Sequence, residues 1–213
     1  MTGRARRVGA LCSASALALA FGVVLASAAS TDTDDHYKPA NTTVKSSSTK
    51  VVVSGSGITM TCTHSSTSGK TPATGLGLFT ITPPTFNDGG TPTKPCTDSV
   101  GGKDTITTSG TWRAGFVDVA NDEPATEPNT GDRFKLIIPK DGVVDHNSFG
   151  CTVTVAPNGP VTVVGAYNDV NKLTINVKNA PVLVSGPSFC SPGTATGSLQ
   201  ATYTLSPGLS DAS

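Results

Sequence analysis

Apolar and polar residues alternate with a period of two in short runs broken by turn residues, most cleanly between Cys151 and Gly186. That stretch predicts four strands in a row: Cys151–Ala156, Val161–Tyr167, Leu173–Lys178 and Val182–Ser185. Pro157-Asn158-Gly159 separates the first two. Asn-Gly between alternating runs signals a hairpin, because both residues tolerate the positive φ of a tight turn. The same alternation puts Ile58, Met60 and Cys62 on one face of a strand and Thr59, Thr61 and Thr63 on the other, as expected of a half-buried antiparallel strand. Further strands are predicted at Lys50–Ser54, Leu76–Thr82, Thr111–Ala120, Phe134–Ile138 and Leu199–Leu205, with a weak one around Ile106. The Ser/Thr/Gly stretch after His64 reads as a loop. So does Thr85–Gly102, which is longer than a compact domain ordinarily leaves without structure.

No window beyond residue 28 keeps a helical period, and Gly and Pro recur throughout. About ten short strands with turn signals between them predict an all-β chain. Its expected form is an antiparallel β-sandwich, immunoglobulin-like or jelly-roll-like. A single domain is expected at 49–207, after a polar, flexible lead-in at 29–48 and before a short tail at 208–213.

The first residues add a compartment. Arg4, Arg6 and Arg7 precede the apolar run Val8–Leu25, and Ala26-Ser27-Ala28 places small residues where a signal peptidase reads, so residues 1–28 are expected to be a signal peptide cleaved after Ala28. The short apolar run and the site directly after it argue against a membrane anchor, and no membrane span is expected after cleavage. Secretion, with association to the cell envelope as an option, is the expected localisation. Of 15 basic residues, three arginines leave with the leader, so 12 face 15 acidic residues, a net of −3. A mildly acidic chain without basic clusters argues against nucleic acid as a partner. Charged residues make up 14% of the chain, and Thr and Ser stand in their place. The recurring T-x-T pairs read as solvent-side faces of strands.

Four cysteines follow the leader: Cys62, Cys96, Cys151 and Cys190. An even count behind a signal peptide predicts two disulfides. Three pairings are open. Cys62–Cys96 with Cys151–Cys190 is favoured, because each bond would staple one consecutive block of strands. Each loop closed this way contributes about 4 kcal/mol in the chain-entropy model. No C-x-x-C pair and no His at ligand spacing accompany them, so neither zinc nor a cofactor is expected.

Candidate chemistry is sparse. No G-x-S-x-G motif occurs. His146 clusters with Asp141 and Asp145 in KDGVVDHNS, which would suit a hydrolase but reads more simply as a surface turn. Glu123 and Glu127 sit in a proline-containing polar loop, His36 in the lead-in, and His64 at the inward end of a strand. Asn168-Asp169-Val170-Asn171 could offer oxygens to calcium, yet these residues are ordinary turn formers. Trp112 can be read two ways. Exposed on a β face it would stack on a sugar ring; buried it would plug the core, the commoner fate of a lone tryptophan. Tyr167 shares that ambiguity.

The Arg/Ala leader, the ITMTCT, FGCTVTV and TATYTL elements and the four cysteines together resemble uncharacterised secreted β-sandwich proteins of high-GC Gram-positive bacteria. That resemblance covers most of the mature chain and implies export without an established activity. The expected function is a non-enzymatic, secreted or envelope-associated β domain that presents a surface to a cell-wall glycan or a surface protein. The alternatives are a passive envelope protein or, last, a hydrolase built on Asp145 and His146.

Overall fold

The structure, a computed structural model, describes residues 36–55, 57–75, 77–117, 133–168 and 171–212. The leader segment 1–28 lies outside them, as do Glu123 and Glu127. Residues 32–213 form one compact unit.

Every regular element among the described residues except one short 3₁₀ turn at Ser188–Cys190 is an antiparallel strand. In chain order come β1 (His36–Lys38), β2 (Thr43–Ser48), β3 (Val51–Gly55), β4 (Ile58–Cys62), β5 (His64–Lys70) and β6 (Phe79–Ile81). Then follow β7 (Thr85–Asn87), β8 (Cys96–Asp98), β9 (Lys103–Thr108), β10 (Trp112–Val117), β11 (Arg133–Ile138) and β12 (Val143–Asn147). The chain continues with β13 (Thr152–Val155), β14 (Val161–Asn168), β15 (Lys172–Ser185), β16 (Gly193–Ser206) and β17 (Ser210–Ala212). The expected count of about ten is therefore too low.

The pairing closes on itself twice. β15 and β16 form one long hairpin, with a register shift between Val177 and Ala180. The N-terminal half of β15 pairs with β14 and its C-terminal half with β13; β16 likewise pairs with β3 and then β2. One ring thus runs β16–β2–β5–β6–β10–β11–β14–β15, and the other β16–β3–β4–β8–β9–β12–β13–β15. Each holds eight strands and both share the hairpin. Closure leaves no open edge around either ring, which removes the hazard of unpaired strand backbones.

Alternation along each strand sends one set of side chains inward. β11 alternates with Phe134, Leu136 and Ile138 buried, and β15 with Leu173, Ile175, Val182 and Val184. In the first ring an aromatic group fills one end: Phe116 lies 4.9 Å from Tyr167 and 5.4 Å from Phe134, and Tyr37 lies 5.4 Å from Phe79. Tyr37 comes from β1, which pairs with β17 in a separate two-stranded sheet. Its hydroxyl accepts from the Phe116 backbone N–H at 3.1 Å.

Three expectations need correcting. The lead-in 29–48 is not a flexible spacer over its second part, since β1 and β2 carry the buried Tyr37 and Val44. Residues 208–213 are not a mere tail: Leu209 is buried and β17 pairs with β1. Thr85–Gly102 is not structureless but contains β7 and β8. The disulfides form as favoured, Cys62–Cys96 and Cys151–Cys190.

Candidate functional site

A cavity of about 190 Å³ occupies the interior and draws its wall from both rings. Leu136, Val163 and Ile175 face it from the first; Val53, Ile106 and Val155 face it from the second. Small residues form part of its wall. β5 turns Ser65, Thr67 and Gly69 inward, opposite Ser48, Ser46 and Val44 of β2. Gly69 is required there: a Cβ would come within 2.7 Å of Ile81 and 2.8 Å of Phe79. Ala114 and Gly197 also line the space.

One part of the wall is acidic. Asp104 from β9 and Asp145 and Asn147 from β12 all line the cavity, and they are joined at the strand ends by Asp98 of β8. Asn147 pairs with Asp104 across the β9–β12 ladder, and Asp145 lies two residues along on the same inward face. The Asn147 amide donates to Asp98 Oδ2 at 2.6 Å and to Asp104 Oδ1 at 2.9 Å. Asn147 Oδ1 accepts from the Phe149 N–H. Asp98 Oδ1 accepts from the backbone of Val100 and Gly102. Gly102 lets this turn close over the group, as a Cβ there would lie 2.7 Å from the Asn147 nitrogen.

Asp104 Oδ2 and Asp145 Oδ1 are buried and have no hydrogen-bond partner among the described residues. Burial pushes the Asp145 carboxyl up to about 7, and the neighbouring charges of Asp104 and Asp98 add to it. Asp104 is also raised, first by burial; the Asn147 hydrogen bond opposes this and the Asp98 charge reinforces it.

The candidates singled out in the sequence fall elsewhere or change role. Trp112 is 2% exposed, with Nε1 donating to the Ser109 carbonyl at 2.9 Å, and Tyr167 is 3% exposed. Neither can stack on a sugar at the surface, so that reading is corrected. Each is held by core packing, and Trp112 also lines the cavity. The Tyr167 hydroxyl is spent on Leu209, donating to its carbonyl at 2.7 Å and accepting from its N–H at 2.9 Å. Asp145 and His146 do not come together. As consecutive residues of β12 they point to opposite faces, Asp145 to the interior and His146 to solvent against Thr152 Oγ1. His64 is half-buried at the start of β5. Asp169 and Val170 lie outside the described residues. No group of three or more His, Cys, Asp or Glu among the described residues has the arrangement of a metal site. Asp98 and Asn147 were missed by sequence reasoning because β8 and β12 were read as loop and turn, and Asp104 because β9 was read only as a weak strand around Ile106.

Fold and cavity together define an all-β, antiparallel chain stapled by two disulfides around an apolar interior. Set against known proteins, the chain matches no family model, no curated protein and no solved structure. Among the described residues no helix is long and apolar enough to cross a membrane.

Proposed function

We propose that the chain is an exported, non-enzymatic binding protein that holds a small apolar molecule inside its β shell. The cavity of about 190 Å³, with its mostly aliphatic and aromatic lining, is the observation behind it. An apolar void leaves its lining without van der Waals partners on one side and stays dry, so an apolar guest regains contacts that water does not supply. Closed sheets of about eight strands are wide enough to hold one small ligand. The two disulfides support an oxidising compartment, and the leader-like first residues support export of the kind the resemblance implied. At the level of fold type we read the rings as sandwich-like, with opposite walls acting as two layers over a common core.

A second reading, a surface for a protein partner, has its own observation. Val100, Phe149 and Phe189 are 58%, 50% and 67% exposed. They sit in turns that touch: Ser148 N–H donates to Lys103 O at 2.8 Å, and Cys151–Cys190 ties the second turn to the third.

Titration calorimetry with octanol as a plain apolar probe separates the two readings. Saturable binding to the folded protein, abolished in an Ala114→Phe variant that fills the cavity, is expected. No saturable heat would sink the cavity reading and favour the surface one.

A further inference from the structure

We infer that the molecule held in the cavity carries a basic nitrogen and that Asp145 and Asp104, the latter held by Asn147, anchor it. This rests on the cavity reading above. Asp104 is 2% exposed, lines the cavity and leaves Oδ2 without a partner; Asp145 Oδ1 is left the same way. The local donors are already used. Both amide hydrogens of Asn147 go to Asp98 and Asp104, and the backbone N–H groups of Val100, Gly102 and Phe149 are committed within the turns. Two acceptor oxygens are therefore buried in the cavity wall with nothing to bond among the described residues.

Nor do the described residues turn a counter-charge toward the pair. Lys103 and His146 neighbour the acids in sequence, but both are exposed and lie on the opposite faces of their strands. β4, β7, β8 and β13, the strands around β9 and β12, contain no Lys, Arg or His. The only ionisable group they turn toward the pair is Asp98, which adds negative charge. Carboxylates buried without a cation or donor are costly, and the missing partner is a species with positive charge and several N–H groups. A protonated amine meets both needs, offering up to about three donors in one compact head. An alcohol would satisfy one oxygen and leave the charge. A divalent cation would want about six oxygens in closed geometry, and the described residues do not form such a site. The remaining wall takes the ligand's apolar body.

Octylamine, octanol and octanoate share one chain and differ only in the head, so calorimetry with the three reads the anchor directly. At about pH 8, above the value of about 7 held by Asp145, octylamine should bind at least about tenfold tighter than octanol. That preference should shrink as pH falls through about 7, where Asp145 takes up its proton. It should vanish in the Asp104→Asn/Asp145→Asn variant, with Asp145→Asn alone as a milder change; melting curves report whether each is folded. Octylamine binding no better than octanol, octanoate binding tightest, or a preference surviving in the folded variants would each overturn the anchor and leave the cavity reading intact. If none of the three binds, the cavity reading fails and the anchor with it.

Discussion

Asp145 stores a pH dependence that a surface aspartate would not. Its ordinary value is about 3.9, and in the fold it is held near about 7. Between these values the folded state keeps a proton that the unfolded state has released. Stability from this group is therefore fully present below about pH 4 and falls as pH rises through the folded value. Asp145→Asn is expected to flatten that slope and to stand above the parent by at least about 1 kcal/mol near pH 8. Urea unfolding across the range measures it; identical slopes would show the carboxyl to be solvated. Trp112 belongs to the same scale. Trp112→Ala removes a core ring whose Nε1 bonds Ser109 O and should cost about 3–5 kcal/mol. A variant with unchanged melting temperature would place the ring outside the core.

Among the elements, β5 shows why some strands escape a pattern search. Its sequence, HSSTSGK, has no large apolar residue, yet Ser65 is fully buried and its hydroxyl bonds the Tyr203 hydroxyl at 2.8 Å. Small inward residues leave room that Phe79 and Ile81 fill from β6, so the hydrophobic signal of this strand sits on its neighbour. β12 was hidden for a related reason: its inward positions include Asp145 and Asn147, which read as turn formers. The predicted runs at Leu173–Lys178 and Val182–Ser185 proved to be one strand, because the register shift at Val177/Ala180 lets β15 carry on through Asn179 and Pro181. The disulfides act at this scale as well. Cys62–Cys96 ties β4 to β8 across 34 residues of chain. A Cys62→Ser/Cys96→Ser variant should lose about 4 kcal/mol, read by denaturant midpoint. Retention of the parent midpoint would show the bond adds nothing.

Across the whole molecule, the shared β15–β16 hairpin couples the two rings, since its Leu173, Ile175, Ala201 and Tyr203 join one buried cluster drawn from both. Unfolding is accordingly expected as a single cooperative transition; two resolved transitions in calorimetry would show that the rings fold apart. An apolar guest binds the native state only. Octanol at about 100 times its Kd should therefore stabilise the fold by about 2.7 kcal/mol, seen as a melting temperature that rises with octanol concentration. A melting temperature independent of octanol would argue that the void is not reached.

The class of the protein was legible from one dimension. Period-two alternation points to strands, Gly and Pro recurring along the chain leave no room for long helices, and an even cysteine count behind a leader-like start implies disulfides. Of the three pairings the sequence left open, the favoured one forms, each bond closing a block of consecutive strands. The tertiary structure alone decided the rest. Ring closure depends on strands distant in sequence, such as β2 with β5 and β16, and local patterning carries no information about such partners. Burial is likewise a property of the assembled shell: Trp112 and Tyr167 lost their surface role, while Asp104 and Asp145 gained an interior one. Asp104, Asp145 and Asn147 become one group only when the β9–β12 ladder sets Asp104 beside Asn147, 43 positions on, in the wall of an apolar space that their own sequence gives no sign of.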